Sequence, residues 1–179
     1  TSGQWVIKEV LGFNVKDKSI LICSNELHPL QSNIFKVRVK DGKRTLLDNG
    51  EGAHFGKLSP SGSLLVDSYS SPTVTRNINL TNTVSGKSVE IFTAENPWKD
   101  YNVPEITSGS IKAADGVTDL YYRMVKPVDF DPTKKYPTVI YVYGGPHAHN
   151  VEASRNYYAR GWEIYMAQKG YLLFILDNR

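Results

Sequence analysis

The chain has 179 residues, of which 40% are hydrophobic and 22% charged, a composition typical of a soluble protein that can bury the core of one or two domains. The formal net charge of +3 comes from basic residues scattered along the chain, which is not the charge pattern of a nucleic-acid-binding surface. The longest apolar runs, residues 139–143 and 171–176, are too short to span a bilayer.

A single cysteine, Cys23, limits the chemistry that sulfur can supply. One cysteine excludes a disulfide within the chain and a cysteine-rich zinc site. Cys23 lies in the apolar run 20–23, so we expect a buried side chain of the core rather than a reactive thiol.

The first half of the chain contains a repeat. When it is shifted by 44 residues against itself, eight residues between positions 12 and 43 align with identical residues without a gap. These matches fall at turns and at the centres of apolar segments. The aligned pairs are Gly12 and Gly56, Ser19 and Ser63, Leu21 and Leu65, Ser24 and Ser68, Asn33 and Asn77, Ile34 and Ile78, Gly42 and Gly86, and Lys43 and Lys87.

Each repeat predicts a set of short antiparallel strands. The glycine turns Asp41-Gly42 and Ser85-Gly86 join apolar segments as hairpin turns do. A unit of this length with about four short strands is what one blade of a β-propeller requires. The alternative is a small β-sandwich with accidental self-similarity. We favour two blades, the C-terminal portion of a propeller in residues 1–95, and expect further blades before Thr1.

The composition changes after the repeat. Asn96-Pro97-Trp98 and Val103-Pro104 interrupt any strand, so residues 96–104 are interpreted as a linker. Beyond it, residues 106–112 and 120–126, joined at Asp115-Gly116, predict an antiparallel hairpin.

A strand, a helix and a second strand are predicted next. The apolar run 139–143 predicts a parallel strand covered on both faces, and Gly144 and Gly145 end it with a turn that exposes backbone N–H groups. Four residues at helical spacing predict one buried helix face, and residues 171–176 predict the second strand. Those four residues are Tyr158, Trp162, Tyr165 and Met166. We expect the remaining strands of this sheet after Arg179.

A repeat of blades, a linker and a strand that ends in Tyr-Gly-Gly-Pro together resemble the prolyl oligopeptidase superfamily of serine peptidases. The chain is most similar to the bacterial dipeptidyl peptidase IV family. The segments that carry this resemblance are Leu-Val-Asp-Ser-Tyr-Ser at 65–70, Leu-Tyr-Tyr-Arg-Met-Val-Lys-Pro at 120–127, Phe-Asp-Pro-Thr-Lys-Lys-Tyr-Pro at 130–137, Val-Tyr-Gly-Gly-Pro-His at 142–147 and Gln-Lys-Gly-Tyr at 168–171.

The resemblance implies a mixed fold, in which two four-stranded antiparallel propeller blades precede the truncated N-terminal part of an α/β-hydrolase domain in residues 105–179. It implies a serine exopeptidase that releases N-terminal dipeptides, preferentially Xaa-Pro or Xaa-Ala, from peptide substrates through an acyl-enzyme. The serine, the acid and the histidine of its triad would lie after Arg179, because no serine here stands in Gly-x-Ser-x-Gly. The chain alone should therefore be inactive.

One catalytic position falls within the chain. By resemblance, Tyr143 donates its hydroxyl to the oxyanion hole. Taken by itself, the sequence also allows a tyrosine that packs beneath a loop. Alternative functions are a prolyl oligopeptidase-like endopeptidase, an acylaminoacyl peptidase, or a catalytically dead protein that binds peptides or proteins.

The remaining expectations concern metals, cofactors and partners. His147 and His149 make an incomplete metal site, and we expect them, with His28 and His54, to be structural or exposed. No metal or cofactor is predicted. The resemblance also implies an extracytoplasmic protein, periplasmic or membrane-associated, which forms homodimers in some relatives.

Overall fold

The computed structural model describes residues 3–145, 149–155 and 160–178. The chain divides into two compact units. The first comprises Thr1–Asn96 together with Ala153–Arg155, and the second comprises Pro97–Glu152 together with Asn156–Arg179. No helix in these described ranges is long and apolar enough to cross a membrane.

The first unit contains two four-stranded sheets, in each of which neighbouring strands are antiparallel and follow the order of the chain. The strands of the first sheet are β1 (Ile7–Asn14), β2 (Ser19–Ser24), β3 (Asn33–Arg38) and β4 (Arg44–Leu46). The strands of the second sheet are β5 (Ala53–Leu58), β6 (Leu64–Ser70), β7 (Asn77–Asn82) and β8 (Ser88–Thr93).

The two sheets reproduce the sequence repeat. Strands β3 and β7 begin 44 residues apart, as do β4 and β8. The turn glycines Gly42 and Gly86 have φ values of 70° and 73°, a conformation that glycine adopts without steric cost. Two successive four-stranded antiparallel sheets are the arrangement of propeller blades, as the repeat predicts.

Close packing around Gly56 explains one of the repeated glycines. A Cβ atom on Gly56 would lie 2.8 Å from Leu11, 2.9 Å from Leu65 and 3.0 Å from Ile34. Ile34 and Leu65 are at most 1% exposed, so the neighbours of Gly56 belong to the core of this unit. A larger residue would require the terminal methyl groups of these side chains to move.

Cys23 is buried, as predicted. Its Sγ lies 2.9 Å from the Ser32 hydroxyl, and burial raises the pKa of the thiol, which disfavours the reactive thiolate.

The short segment Ala153–Arg155 belongs to the first unit through specific hydrogen bonds. The backbone N–H of Ala153 donates to the Leu30 carbonyl at 2.8 Å. The Arg155 guanidinium donates to the Pro72 carbonyl at 2.7 Å and to Asn96 Oδ1 at 3.0 Å. This arginine therefore fixes the segment against the loop that follows β6.

The second unit is a mixed four-stranded sheet with one described helix. Its strands are β9 (Ile106–Lys112), β10 (Asp119–Val125), β11 (Thr138–Val142) and β12 (Leu172–Leu176), and the helix is α1 (Gly161–Gln168). The sheet order is β11-β12-β10-β9. Strands β11 and β12 are parallel, as predicted, and β10 is antiparallel to both of its neighbours.

The prediction that the run 139–143 is covered on both faces is wrong for β11. Ile140 is 65% exposed and Val142 is 55% exposed. Strand β11 lies at the edge of the sheet, and α1 packs on β12 and β10 instead. An apolar run predicts a strand, but its burial depends on which elements cover it.

The predicted buried face of the helix is also wrong for two of its four residues, whereas Met166 is half-buried. Trp162 and Tyr165 are 48% and 57% exposed, whereas Glu163, Ile164 and Ala167 are buried. Tyr158 lies outside the described residues. The buried face of α1 includes the charged residue Glu163, because Arg123 of β10, which is 0% exposed, forms an ion pair with it.

Candidate functional site

Tyr143 stands at the carboxyl end of a parallel strand. The last residue of β11, Val142, pairs with Leu176 of β12, and Tyr143 follows immediately. Its side chain is 58% exposed. In the described part of the chain, its hydroxyl has no hydrogen-bond partner. As far as the described residues go, the phenol can donate a hydrogen bond at the carboxyl edge of the sheet, where α/β proteins bind their ligands.

The two glycines after Tyr143 differ in what they contact. A Cβ atom at Gly144 would meet nothing within 4 Å, whereas one at Gly145 would lie 2.6 Å from Cε1 of the Tyr143 ring. Neither glycine is among those with positive φ. The backbone at Gly145 does not need glycine for its φ angle. Glycine is needed there because a side chain would overlap the Tyr143 ring.

The Asp177 carboxylate accepts hydrogen bonds from the backbone a few residues after the two glycines. One carboxylate oxygen accepts the Asn150 N–H at 2.5 Å and the other accepts the Val151 N–H at 3.3 Å. Asp177 is 6% exposed and directly follows β12, and its own N–H donates to the Tyr121 carbonyl at 2.9 Å. Sequence reasoning missed this residue, although a carboxylate directly after a buried parallel strand is a usable signal.

His54 is structural, as expected, but it has a carboxylate partner that the sequence does not reveal. Its Nδ1 lies 2.8 Å from Asp67 Oδ2 and its Nε2 lies 2.8 Å from the Glu51 carbonyl. The ring is 1% exposed and stacks on Tyr69 at 4.7 Å. Because both ring nitrogens face oxygen acceptors, neither can take a proton from a nucleophile, which excludes a general base.

Neighbouring carboxylates raise the pKa of His54. Burial by itself lowers the pKa of the ring, but the hydrogen bond to Asp67 and the negative charges of Asp48 and Asp67 outweigh burial. The pKa of His54 therefore lies above 6.5. Asp48, whose side chain is 1% exposed, has a pKa raised above 3.8 by burial.

These pKa shifts predict a pH-dependent stability. Between the ordinary pKa of 6.5 and its raised value, His54 keeps a proton in the folded state that the unfolded chain has lost. The folded state then binds more protons, so the unfolding free energy falls as pH rises. We expect the urea concentration at the unfolding midpoint of the first unit to fall as the pH is raised from about 6 to about 9.

The control for this prediction is a second histidine in the same unit. The variant His54→Gln should lose most of the fall, and His28→Gln should keep it. A midpoint that stays constant or rises over this range in the unmodified protein would contradict the assignment of a buried, charged His54.

The other two described histidines, His28 and His149, form no metal site with described residues. His28 is exposed and its Nδ1 accepts the Leu30 N–H at 3.2 Å, His149 is exposed, and His147 lies outside the described residues. Within the described ranges, no three side chains of His, Cys, Asp or Glu are placed to hold a metal ion.

Comparison with known proteins finds similarity along the whole chain. Residues 1–76 match the family described as the dipeptidyl peptidase IV (DPP IV) N-terminal region. The dipeptidyl peptidase 4 of Arthroderma otae is 28% identical over 100% of this chain and 24% of its own length. The human dipeptidyl peptidase 8 is 27% identical over 100% of this chain and 21% of its own length.

Solved structures extend the similarity to the fold. A protein from Bacteroides ovatus assigned as a dipeptidyl aminopeptidase IV is 47% identical, with a TM-score of 0.90 over 100% of this chain and 26% of that chain. The dipeptidyl peptidase 4 of Porphyromonas gingivalis is 26% identical, with a TM-score of 0.87 over 100% of this chain and 25% of that chain.

The similarity to these proteins, together with the two blade-like sheets, relates the chain to the dipeptidyl peptidases. In sequence and fold the chain is similar to members of the dipeptidyl peptidase IV family. It spans about a quarter of the length of the relatives that it matches.

Proposed function

We propose that the protein containing this chain is a serine exopeptidase that releases dipeptides from the N-termini of peptides, preferentially Xaa-Pro or Xaa-Ala. The observation that carries the proposal is Tyr143, which is exposed at the carboxyl end of a parallel strand and whose hydroxyl has no hydrogen-bond partner among the described residues. Similarity over the full chain to proteins named as dipeptidyl peptidases supports it.

The proposal assigns a role to each part of the chain. Residues 1–95 form the last blades of a propeller that restricts access to an internal cavity, residues 96–104 are a linker, and residues 105–179 begin an α/β-hydrolase domain. The parallel pair β11 and β12, with α1 between them in the chain, supports the last assignment.

Tyr143 acts on the negative charge that forms during acyl transfer. When a nucleophile attacks the carbonyl of the scissile peptide bond, its oxygen becomes an oxyanion, and the tetrahedral intermediate needs a donor placed in advance. The Tyr143 hydroxyl donates that hydrogen bond. Since β11 holds the residue before it, the donor needs little reorganisation. The nucleophile, the acid and the histidine are assigned to residues outside this chain.

The test uses the complete protein that contains this chain. It should release the chromophore from a free Xaa-Pro or Xaa-Ala p-nitroanilide and leave the same compound intact when its N-terminus is acetylated. A fluorophosphonate should label it and abolish the activity. The 179 residues expressed alone should show neither reaction.

The alternative functions give different results in the same assays. Cleavage of acetylated or internal peptides with no dipeptide release would indicate an endopeptidase or an acylaminoacyl peptidase. No hydrolysis and no labelling of a folded complete protein would leave a peptide-binding or protein-binding module, and the exopeptidase proposal would be wrong.

A further inference from the structure

Two consecutive residues at the end of β12 hold both ends of the segment that begins with Tyr143. Leu176 pairs with Val142, the residue directly before Tyr143. The next residue, Asp177, accepts hydrogen bonds from the backbone of Asn150 and Val151. The chain is therefore bound to the same strand end before and after the segment that starts at Tyr143.

The Asp177 contacts are buried. Val151 is 0% exposed, Asp177 is 6% exposed and Asn150 is 8% exposed. A buried N–H group that loses its acceptor is costly because no water replaces it. Each N–H uses a different oxygen of the carboxylate, so only an acceptor with two oxygens satisfies both donors.

We propose that Asp177 is a positioning residue for Tyr143, because it fixes the backbone at Asn150 and Val151 to the same strand end that pairs with the residue before Tyr143. This inference rests on the proposed function, since it assigns Asp177 a part in the same reaction. Asp177 does not touch the reacting atoms. It acts by keeping the Tyr143 hydroxyl where the oxyanion forms.

The isosteric variant Asp177→Asn in the complete protein tests the inference. The amide offers one oxygen in place of two and turns its NH₂ group towards a backbone N–H, so one end of the segment is released. A displacement of about 1 Å in a catalytic group can cost roughly 100-fold in rate. We therefore expect kcat for an Xaa-Pro substrate to fall about 10- to 100-fold, with KM changed by less than about threefold.

A double-mutant cycle separates positioning from a general loss of structure. If Asp177 acts through Tyr143, the combined Tyr143→Phe and Asp177→Asn variant should be no more than about threefold slower than Tyr143→Phe alone. The matched control is Asp129→Asn, which makes the same chemical change at an exposed position and should retain full activity. If Asp177→Asn does not fold, Asp177→Glu, which keeps two acceptors, enters the same cycle.

The outcomes are distinct. An unchanged kcat for a folded Asp177 variant, or losses that multiply in the double variant, would overturn the inference while leaving an active exopeptidase. An unmodified protein without dipeptidyl peptidase activity would overturn the proposed function and this inference with it.

Discussion

Replacing Tyr143 by phenylalanine in the complete protein should lower the turnover of an Xaa-Pro substrate by about 100- to 1000-fold, the usual cost of losing one oxyanion donor. The substitution removes only the hydroxyl, which has no partner among the described residues. The ring and its contact with Gly145 remain, so the strand end should keep its structure. Steady-state kinetics should show the loss in kcat, and labelling by a fluorophosphonate should slow with it.

Two further variants make this result specific. Tyr141→Phe removes a hydroxyl from the same strand and should leave turnover within about twofold, because β11 places Tyr141 before the strand end. Gly145→Ala keeps the Tyr143 hydroxyl but places a Cβ atom 2.6 Å from Cε1 of its ring, so we expect an intermediate loss. Unchanged turnover in Tyr143→Phe would return Tyr143 to a packing role.

The largest expected effect on stability comes from the buried ion pair between Arg123 and Glu163. The guanidinium donates from Nη1 to Glu163 Oε2 and from Nη2 to Oε1, the latter at 3.0 Å, with both side chains at most 2% exposed. Glu163→Gln leaves a buried guanidinium without a counter-charge. We expect it to destabilise the contact between β10 and α1 by about 3 to 5 kcal/mol.

Hydrogen exchange of peptides from β10 and α1 in the complete protein measures this change as a loss of protection. Glu105→Gln provides the matched control, since it breaks an ion pair with Lys126 at 2.9 Å in which Glu105 is 59% exposed, and it should cost at most about 1 kcal/mol. Replacing both partners, by Arg123→Met and Glu163→Leu, should restore most of the protection. Equal effects of Glu163→Gln and Glu105→Gln would refute the predicted cost of the buried charge.

The local features of the first unit could be predicted from the sequence because their signals lie in adjacent residues. Short apolar runs separated by glycine turns indicate antiparallel strands, and the repeated spacing places β3 and β7 in equivalent positions. Tyr143 could likewise be placed at a strand end, because the apolar run before it stops at two glycines.

The pairs that hold the candidate site and the core could not be predicted in the same way. Asp67 lies 13 residues from His54 and Glu163 lies 40 residues from Arg123, and no spacing rule joins them. The exposure of β11 and the buried face of α1 also depend on neighbouring elements.

The sequence by itself determined the strands, their turns, the repeat and the strand end that carries Tyr143, since backbone preferences and apolar periodicity act over a few residues. Only the tertiary structure decided which polar groups form hydrogen bonds or ion pairs with each other. It also placed Asp177 where its carboxylate accepts the backbone N–H groups of Asn150 and Val151. Partners of this kind are selected by burial, which brings distant residues together and makes an unpaired polar group costly.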